Sequence, residues 1–254
     1  MQHSHHHALP KGRTALVLRP NSGVSGDILV AGLARLAGAT QDDLDQSVAA
    51  LGFPDLKGKL RVAPRSLGEI AGWGLELELP HEHAHRNLAD ITALFEASSI
   101  PEAAKGLAVK AFSILAEAEG RVHGVDPAEV HFHEVGALDS ILDTGLAAIL
   151  FARLDPALFV SGPLPICDGT IKCAHGLLAS PAPAVSILLE GAAVRGIEST
   201  GETVTPTGIA LLKAFGVAFG PWPSMTVEAQ ALVFGTRVLE GVPNGAQFAK
   251  GTLT

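Results

Sequence analysis

Apolar positions along this chain follow two periods, and the changeovers predict its elements. Thr14 to Leu18 is a short unbroken apolar run, followed by NSGVSGD and then by ILVAGLARLAG, whose spacing suits an amphipathic helix. The order strand, turn, helix follows. Gln41 to Leu51 predicts a second helix. RVAPRSL and GWGLELELP read as strands, since Leu75, Leu77 and Leu79 alternate with Glu76 and Glu78, one face buried and the other solvated. From Asn87 to His123 apolar residues recur at three and four positions, which predicts helix broken at Pro101. Another helix is expected from about Ala137 to Leu154. Beyond Asp155 the chain is richer in Pro and Gly. GPLPICDGTIKCAHGLLASPAPA reads as short strands and turns, and PAVSILLEG and TPTGIALLKAFG read as helices. The fold class expected is α/β, of mixed α+β character, with helices packed on a sheet. No repeat or low-complexity linker divides residues 13–254, so they read as one unit, with a lobe boundary, if the unit has two lobes, near Asp155.

Composition narrows the function classes. The 254 residues are 47% hydrophobic and 17% charged, enough apolar surface for a large core. The net charge of −8 provides no basic field for a phosphate backbone, so nucleic acid is excluded as a partner. No apolar stretch approaches the roughly 18 residues of a membrane span, and no export signal precedes TALVL, so a soluble cytoplasmic protein is expected. The two cysteines make no disulfide framework; they read as thiols, metal ligands or core residues.

Nine of the eleven histidines fall into three clusters, a distribution that points to metal. His3, His5, His6 and His7 lie in residues 1–12, which read as a disordered His-rich tail or a tag and define no site. In HEHAH, His81, His83 and His85 share one side of an extended segment, although Pro80 argues for a loop, which is either simply solvated or able to deliver metal inward. The densest cluster is HFHEVGALDSILD, residues 131–143. An extended segment there turns His131 and His133 to one side and Phe132 to the other. Glu134 adds a carboxylate, and Asp139 and Asp143 are one turn apart on the following helix. Such a set suits a divalent first-row metal; core or capping roles are the plain alternatives. Cys167 reads as a buried inert thiol, whereas Cys173 and His175 form a further donor pair with Lys172 beside them.

Two segments have the chemistry to receive anions. SGVSGD, with Ser22, Gly23, Ser25 and Gly26, lies where a strand feeds a helix, and its backbone amides suit a phosphate; Asp27 adds a carboxylate to the metal candidates. The segment lacks the spacing of a P-loop, of a dinucleotide fingerprint and of a nucleophile elbow, and a packing turn is its plain alternative. TVTPTG offers Thr205, Thr207 and Gly208 at a helix start, for ligand binding or for ordinary capping.

In this order, SGVSGD, HEHAH, HFHEVGALDSILD, KCAHG, SPAPA and VTPTG resemble the nickel-insertion proteins, the LarC family, from about Thr14 to Arg237. The resemblance implies a nickel chelatase, or cyclometallase, of the lyase class. Such an enzyme places Ni2+ into pyridinium-3,5-bisthiocarboxylate mononucleotide to make the nickel-pincer cofactor of lactate racemase and its relatives. It implies a nickel–carbon bond formed with loss of a ring proton, the His and carboxylate cluster handling metal, and catalytic candidates in Glu134, as proton acceptor, and Lys172. A lactate racemase-like recipient enzyme is the implied partner, and homo-oligomerisation stays open. Fuller members of the family continue into a further domain linked to CTP and to Mg2+ or Mn2+, so CTP use is expected where such a domain is supplied separately. This sequence departs from the family pattern at Arg19, where an aspartate is usual. Two other readings stand beside the enzyme: a metallochaperone or non-catalytic relative that binds nickel, and a metal-dependent hydrolase in which H-x-H-E and the two aspartates activate water.

Overall fold

The computed structural model describes residues 11–79, 86–132, 135–173 and 176–254, with Cys173 described by its strand position alone. The chain enters through β1 (Thr14–Pro20), whose Ala15, Leu16, Val17 and Leu18 are all buried, as a strand covered on both faces requires. The glycine-rich turn then delivers α1 (Gly26–Ala37), closed at its C-terminus by Gly38 in the left-handed conformation. In α2 (Gln41–Ala50) a reciprocal capping box joins Thr40 to Asp43. The hairpin β2 (Leu60–Leu67) and β3 (Ile70–Leu77) follows, with Leu75 buried and Glu76 paired across the strands to Arg61 at 3.1 Å.

Next comes β4 (Arg86–Asn87), leading into α3 (Leu88–Ala97). Pro101 then caps α4 (Glu102–His123), so the helical stretch breaks where the sequence predicts. A two-residue β5 (His131–Phe132) pairs with β4 and precedes α5 (Leu138–Leu154). The remaining elements are β6 (Leu158–Ser161), β7 (Leu164–Ile166), β8 (Thr170–Cys173), β9 (Gly176–Ala179), α6 (Pro183–Leu188), β10 (Val194–Gly196), α7 (Pro206–Ala214), β11 (Ala218–Phe219), β12 (Met225–Val233) and β13 (Ala246–Leu253).

The fold class is the mixed one expected, with helices on a mixed seven-stranded sheet in the order β11-β6-β1-β13-β12-β3-β2. β1 runs parallel to β6 and antiparallel to β13, so strands from both sides of Asp155 share this sheet. α1 packs on β3, β12 and β13 and also against α5, while α4 packs on α3, α5, α6 and α7. An aromatic cluster ties the helical layer together: Phe112 lies 6.0 Å from Phe95 and 5.8 Å, edge to face, from Phe132, and Phe151 stacks on Phe215 at 4.1 Å. Among the described residues no helix is long and apolar enough to cross a membrane.

Candidate functional site

A cavity of about 630 Å3 opens where the N-termini of α1, α5 and α7 meet the β8–β9 hairpin. That is within the usual range for a small-molecule site. Most of the sequence candidates that the structure describes line it.

The SGVSGD loop and the TVTPTG loop are locked together. Val24 donates its amide to the Thr203 carbonyl at 3.0 Å, and Thr205 donates its own to the Val24 carbonyl at 3.1 Å. At Gly23, with φ +149°, a β-carbon would stand 1.9 Å from the Thr203 carbonyl oxygen, so this clamp admits only glycine. Ser22 accepts the Gly245 amide at 3.0 Å, holding the loop to the start of β13. Ser25 is the N-cap of α1; its hydroxyl bonds the Asp27 carboxylate rather than the helix amides, leaving these without a side-chain cap.

Against this loop, α5 places Asp139 and Asp143 one turn apart, both lining the cavity, as their spacing predicts. Asp139 accepts the Ser140 amide at 2.7 Å. Asp143 Oδ1 is shut off from solvent with no hydrogen-bond partner among the described residues. Burial, then the neighbouring charges of Asp27 and Asp139, push the Asp143 carboxyl well above the ordinary range. The β5 strand divides its side chains as expected: Phe132 is buried against Phe112, and His131 is exposed and lines the cavity. His133 and Glu134, next in the chain, lie outside the described residues, as do His81, His83, His85 and His175; the side chain of Cys173 does too.

The lining also carries a cation and hydroxyls. Lys172 on β8 lines the cavity and has no carboxylate partner among the described residues. Thr205 plays the capping part, its Oγ1 accepting the Gly208 amide at 3.1 Å, and Gly208 rests against the Val24 carbonyl. Thr207, only 6% exposed, lines the cavity, and its hydroxyl has no partner among the described residues.

Glu119, His123, Glu202 and Arg237 also line the cavity and escape the sequence reading. Glu119 and His123 sit one turn apart at the end of α4, their side chains 3.4 Å apart; the i, i+4 spacing was visible, the direction of that helix face was not. Arg237, in the loop after β12, donates Nη1 to the Glu202 carbonyl at 2.8 Å, and no local pattern marks it. Arg19 lies outside the lining. It donates to the Gly220 carbonyl at 3.0 Å and covers Trp222 at 5.4 Å, so its side chain is held at the β11 edge of the sheet. Cys167 is buried, its thiol directed to the Gly201 carbonyl at 3.0 Å, and burial raises its pKa, in keeping with an inert thiol. Among the described residues no three His, Cys, Asp or Glu side chains are close enough to hold a metal ion by themselves.

Known proteins supply the remaining comparison. The nickel insertion protein family matches residues 16–251. A Geotalea daltonii protein named for nickel insertion is 40% identical over 224 residues, covering 88% of this chain and 57% of that protein. The pyridinium-3,5-bisthiocarboxylic acid mononucleotide nickel insertion protein of a Nocardioides species is 38% identical over 224 residues, covering 88% and 56%. The protein of the same name from Desulfitobacterium hafniense is 35% identical over 233 residues, covering 91% and 57%. The chain thus spans less than three fifths of the length of these relatives. No solved structure matches it. With a match over nearly all its length and relatives at this identity, the chain belongs to the nickel insertion protein family.

Proposed function

We propose that this chain inserts Ni2+ into pyridinium-3,5-bisthiocarboxylic acid mononucleotide, acting as a cyclometallase of the lyase class, with residues 13–254 as the working unit. The observation that carries this reading is the mixed lining of one cavity: the carboxyl groups of Asp27, Asp139 and Asp143 and the imidazole of His131, together with helix amides, hydroxyls and Lys172. The substrate has the matching polarity. Nickel is drawn to imidazole and carboxylate, the two thiocarboxylates complete its coordination with soft sulfur, and the anionic nucleotide seeks amides and cations.

His133 and Glu134 follow His131 directly and extend the same ligand set. The HEHAH histidines, Cys173 and His175 are the groups proposed to pass nickel inward. Bound nickel acts as a Lewis acid on the pyridinium ring. As the nickel–carbon bond forms, the ring carbon loses its proton, and Glu134 is the proposed acceptor; Lys172 balances the anionic groups of the substrate. The reading extends to CTP with Mg2+ or Mn2+ bound by a separately supplied domain, and to a lactate racemase-like enzyme as recipient.

The test is nickel titration and elemental analysis of protein freed of residues 1–8, wild type against the His131→Ala/His133→Ala double variant, followed by an insertion assay with and without CTP. Stoichiometric nickel that disappears in the double variant, and product formed by the wild type alone, is the expected result. Zinc, or no metal, in both proteins would overturn it.

A further inference from the structure

Two helices of ordinary length open onto this cavity from adjoining loops, and their electrostatics are opposite. At α1 the N-terminus is already furnished with acidic side chains: Asp27 sits in its first turn, and Asp143 packs against Gly26. A phosphate there would compete with both carboxyl groups. At α7 the first turn is Pro206, Thr207 and Gly208, with no acidic residue. Pro206 has no amide hydrogen, Gly208 gives its own to Thr205 Oγ1, and the Thr207 amide has no acceptor among the described residues. Thr207 as a residue is more than nine-tenths buried, and its hydroxyl, without a partner among the described residues, borders the cavity. A helix amide and a hydroxyl, both without protein partners at one point of the cavity lining, are donors free to meet a ligand there.

The charge around that point is complementary to an anion. Arg237 and Lys172 both border the cavity, and neither has a carboxylate partner among the described residues. Arg237 is anchored through Nη1 on the Glu202 carbonyl, which fixes the guanidinium without neutralising it. Glu202 adds one carboxylate to the same wall, against two cations and the positive end of α7.

We infer that the N-terminus of α7 is the seat of the substrate's phosphate, held by the Thr207 amide and hydroxyl with Arg237, and that the α1 loop faces the metal instead. The inference deepens the nickel-insertion reading and rests on it for the identity of the ligand. It gives the mononucleotide a direction: phosphate at α7, pyridinium ring and sulfurs toward Asp27, Asp139 and Asp143. SGVSGD, whose sequence suggests a phosphate loop, becomes part of the metal side.

The experiment needs neither nickel nor turnover. Nicotinate mononucleotide and nicotinate riboside, which differ by the phosphate, are titrated calorimetrically into the full chain at two salt concentrations. Wild type, Thr207→Val and Arg237→Gln are compared, with Arg19→Gln as a cation-removing control away from the cavity. Hydrogen bonds to charged groups predict a preference for the mononucleotide of roughly tenfold or more, reduced severalfold in each cavity variant, unchanged in the control and weakened by salt. Arg237 is exposed, so its variant remains informative if the Thr207 variant folds poorly. A wild type that does not prefer the mononucleotide, or a preference that survives both substitutions, overturns the seat. A phosphate preference that responds to both variants in a protein that never inserts nickel would retain the seat as an anion site and remove the nickel-insertion reading.

Discussion

Asp143 packs directly on the backbone of Gly26: a β-carbon at position 26 would lie 2.6 Å from Asp143 Oδ2 and 2.8 Å from its Cβ. The first turn of α1 and the second turn of α5 therefore meet without an intervening side chain, which brings Asp27 and Asp143 to one end of the cavity. Gly26→Ala inserts a methyl group where none fits. Over-packing of this kind costs roughly 1–3 kcal/mol. Urea unfolding should show that loss, with nickel affinity falling in parallel as the Asp143 carboxylate is displaced. An alanine variant of wild-type stability and nickel affinity would mean that α1 and α5 part easily here.

Asp143→Asn should separate stability from function. In the metal-free protein the native state holds the Asp143 proton more tightly than the unfolded chain, because burial and the charges of Asp27 and Asp139 oppose ionisation. Native protein therefore binds more protons than unfolded protein between the ordinary carboxylate value, about 4, and the raised native value. Through that window the wild type loses stability as pH rises. Asparagine removes the effect, so at pH 7 the variant should be the more stable, with a higher Tm. Below pH 4 the two should converge. Nickel affinity should fall in the variant. Thermal melts of both proteins across pH in a chelating buffer decide the matter, and a variant less stable at pH 7 contradicts it.

Local pattern and long-range pairing divide what the sequence could and could not reveal. The strand–turn–helix at Thr14–Ala37, the break at Pro101, and the opposite facing of His131 and Phe132 are set by neighbours a few residues apart, and all were legible. So was the shared orientation of Asp139 and Asp143. The place of β13 was not. AQFAKGTL has Gln, Lys and Thr among its eight residues, and the sequence reading assigns no element beyond TPTGIALLKAFG. Yet β13 lies between β1 and β12, pairing Leu16 with Lys250 across most of the chain. The clamp of Gly23 on Thr203 and the presence of Arg237 in the cavity have the same origin: each joins segments far apart in sequence, which no local periodicity encodes.

The capping box of α2 should make its own pH signature. Asp43 Oδ2 accepts the Thr40 amide at 2.8 Å and the Thr40 hydroxyl at 2.9 Å, and Arg153, in the last turn of α5, lies 3.3 Å from Oδ1. The Thr40 amide first, then its hydroxyl and Arg153, hold the Asp43 carboxyl below its ordinary value. A depressed native pKa contributes stability that is present above the unfolded value and is lost as pH falls through the native one. Asp43→Asn should therefore be less stable than wild type at pH 6, and the difference should begin to narrow as pH falls below about 4. Urea midpoints at pH 6 and pH 3 measure it; an equal gap at both would show that the carboxylate charge does not matter there.

Cys167 separates a structural thiol from a metal ligand. Its side chain is 3% exposed, its Sγ points at the Gly201 carbonyl, and burial disfavours the thiolate that alkylation and metal binding both require. Native protein exposed to iodoacetamide at pH 8 should thus leave Cys167 unmodified until urea unfolds it, as read by peptide mass spectrometry. Cys167→Ala should cost about 1–2 kcal/mol of stability, through the lost packing of a small buried side chain, and leave nickel stoichiometry unchanged. Rapid labelling of Cys167 in the folded protein, or nickel lost from the alanine variant, would place this thiol among the ligands and require the β7–β8 loop to open during metal transfer.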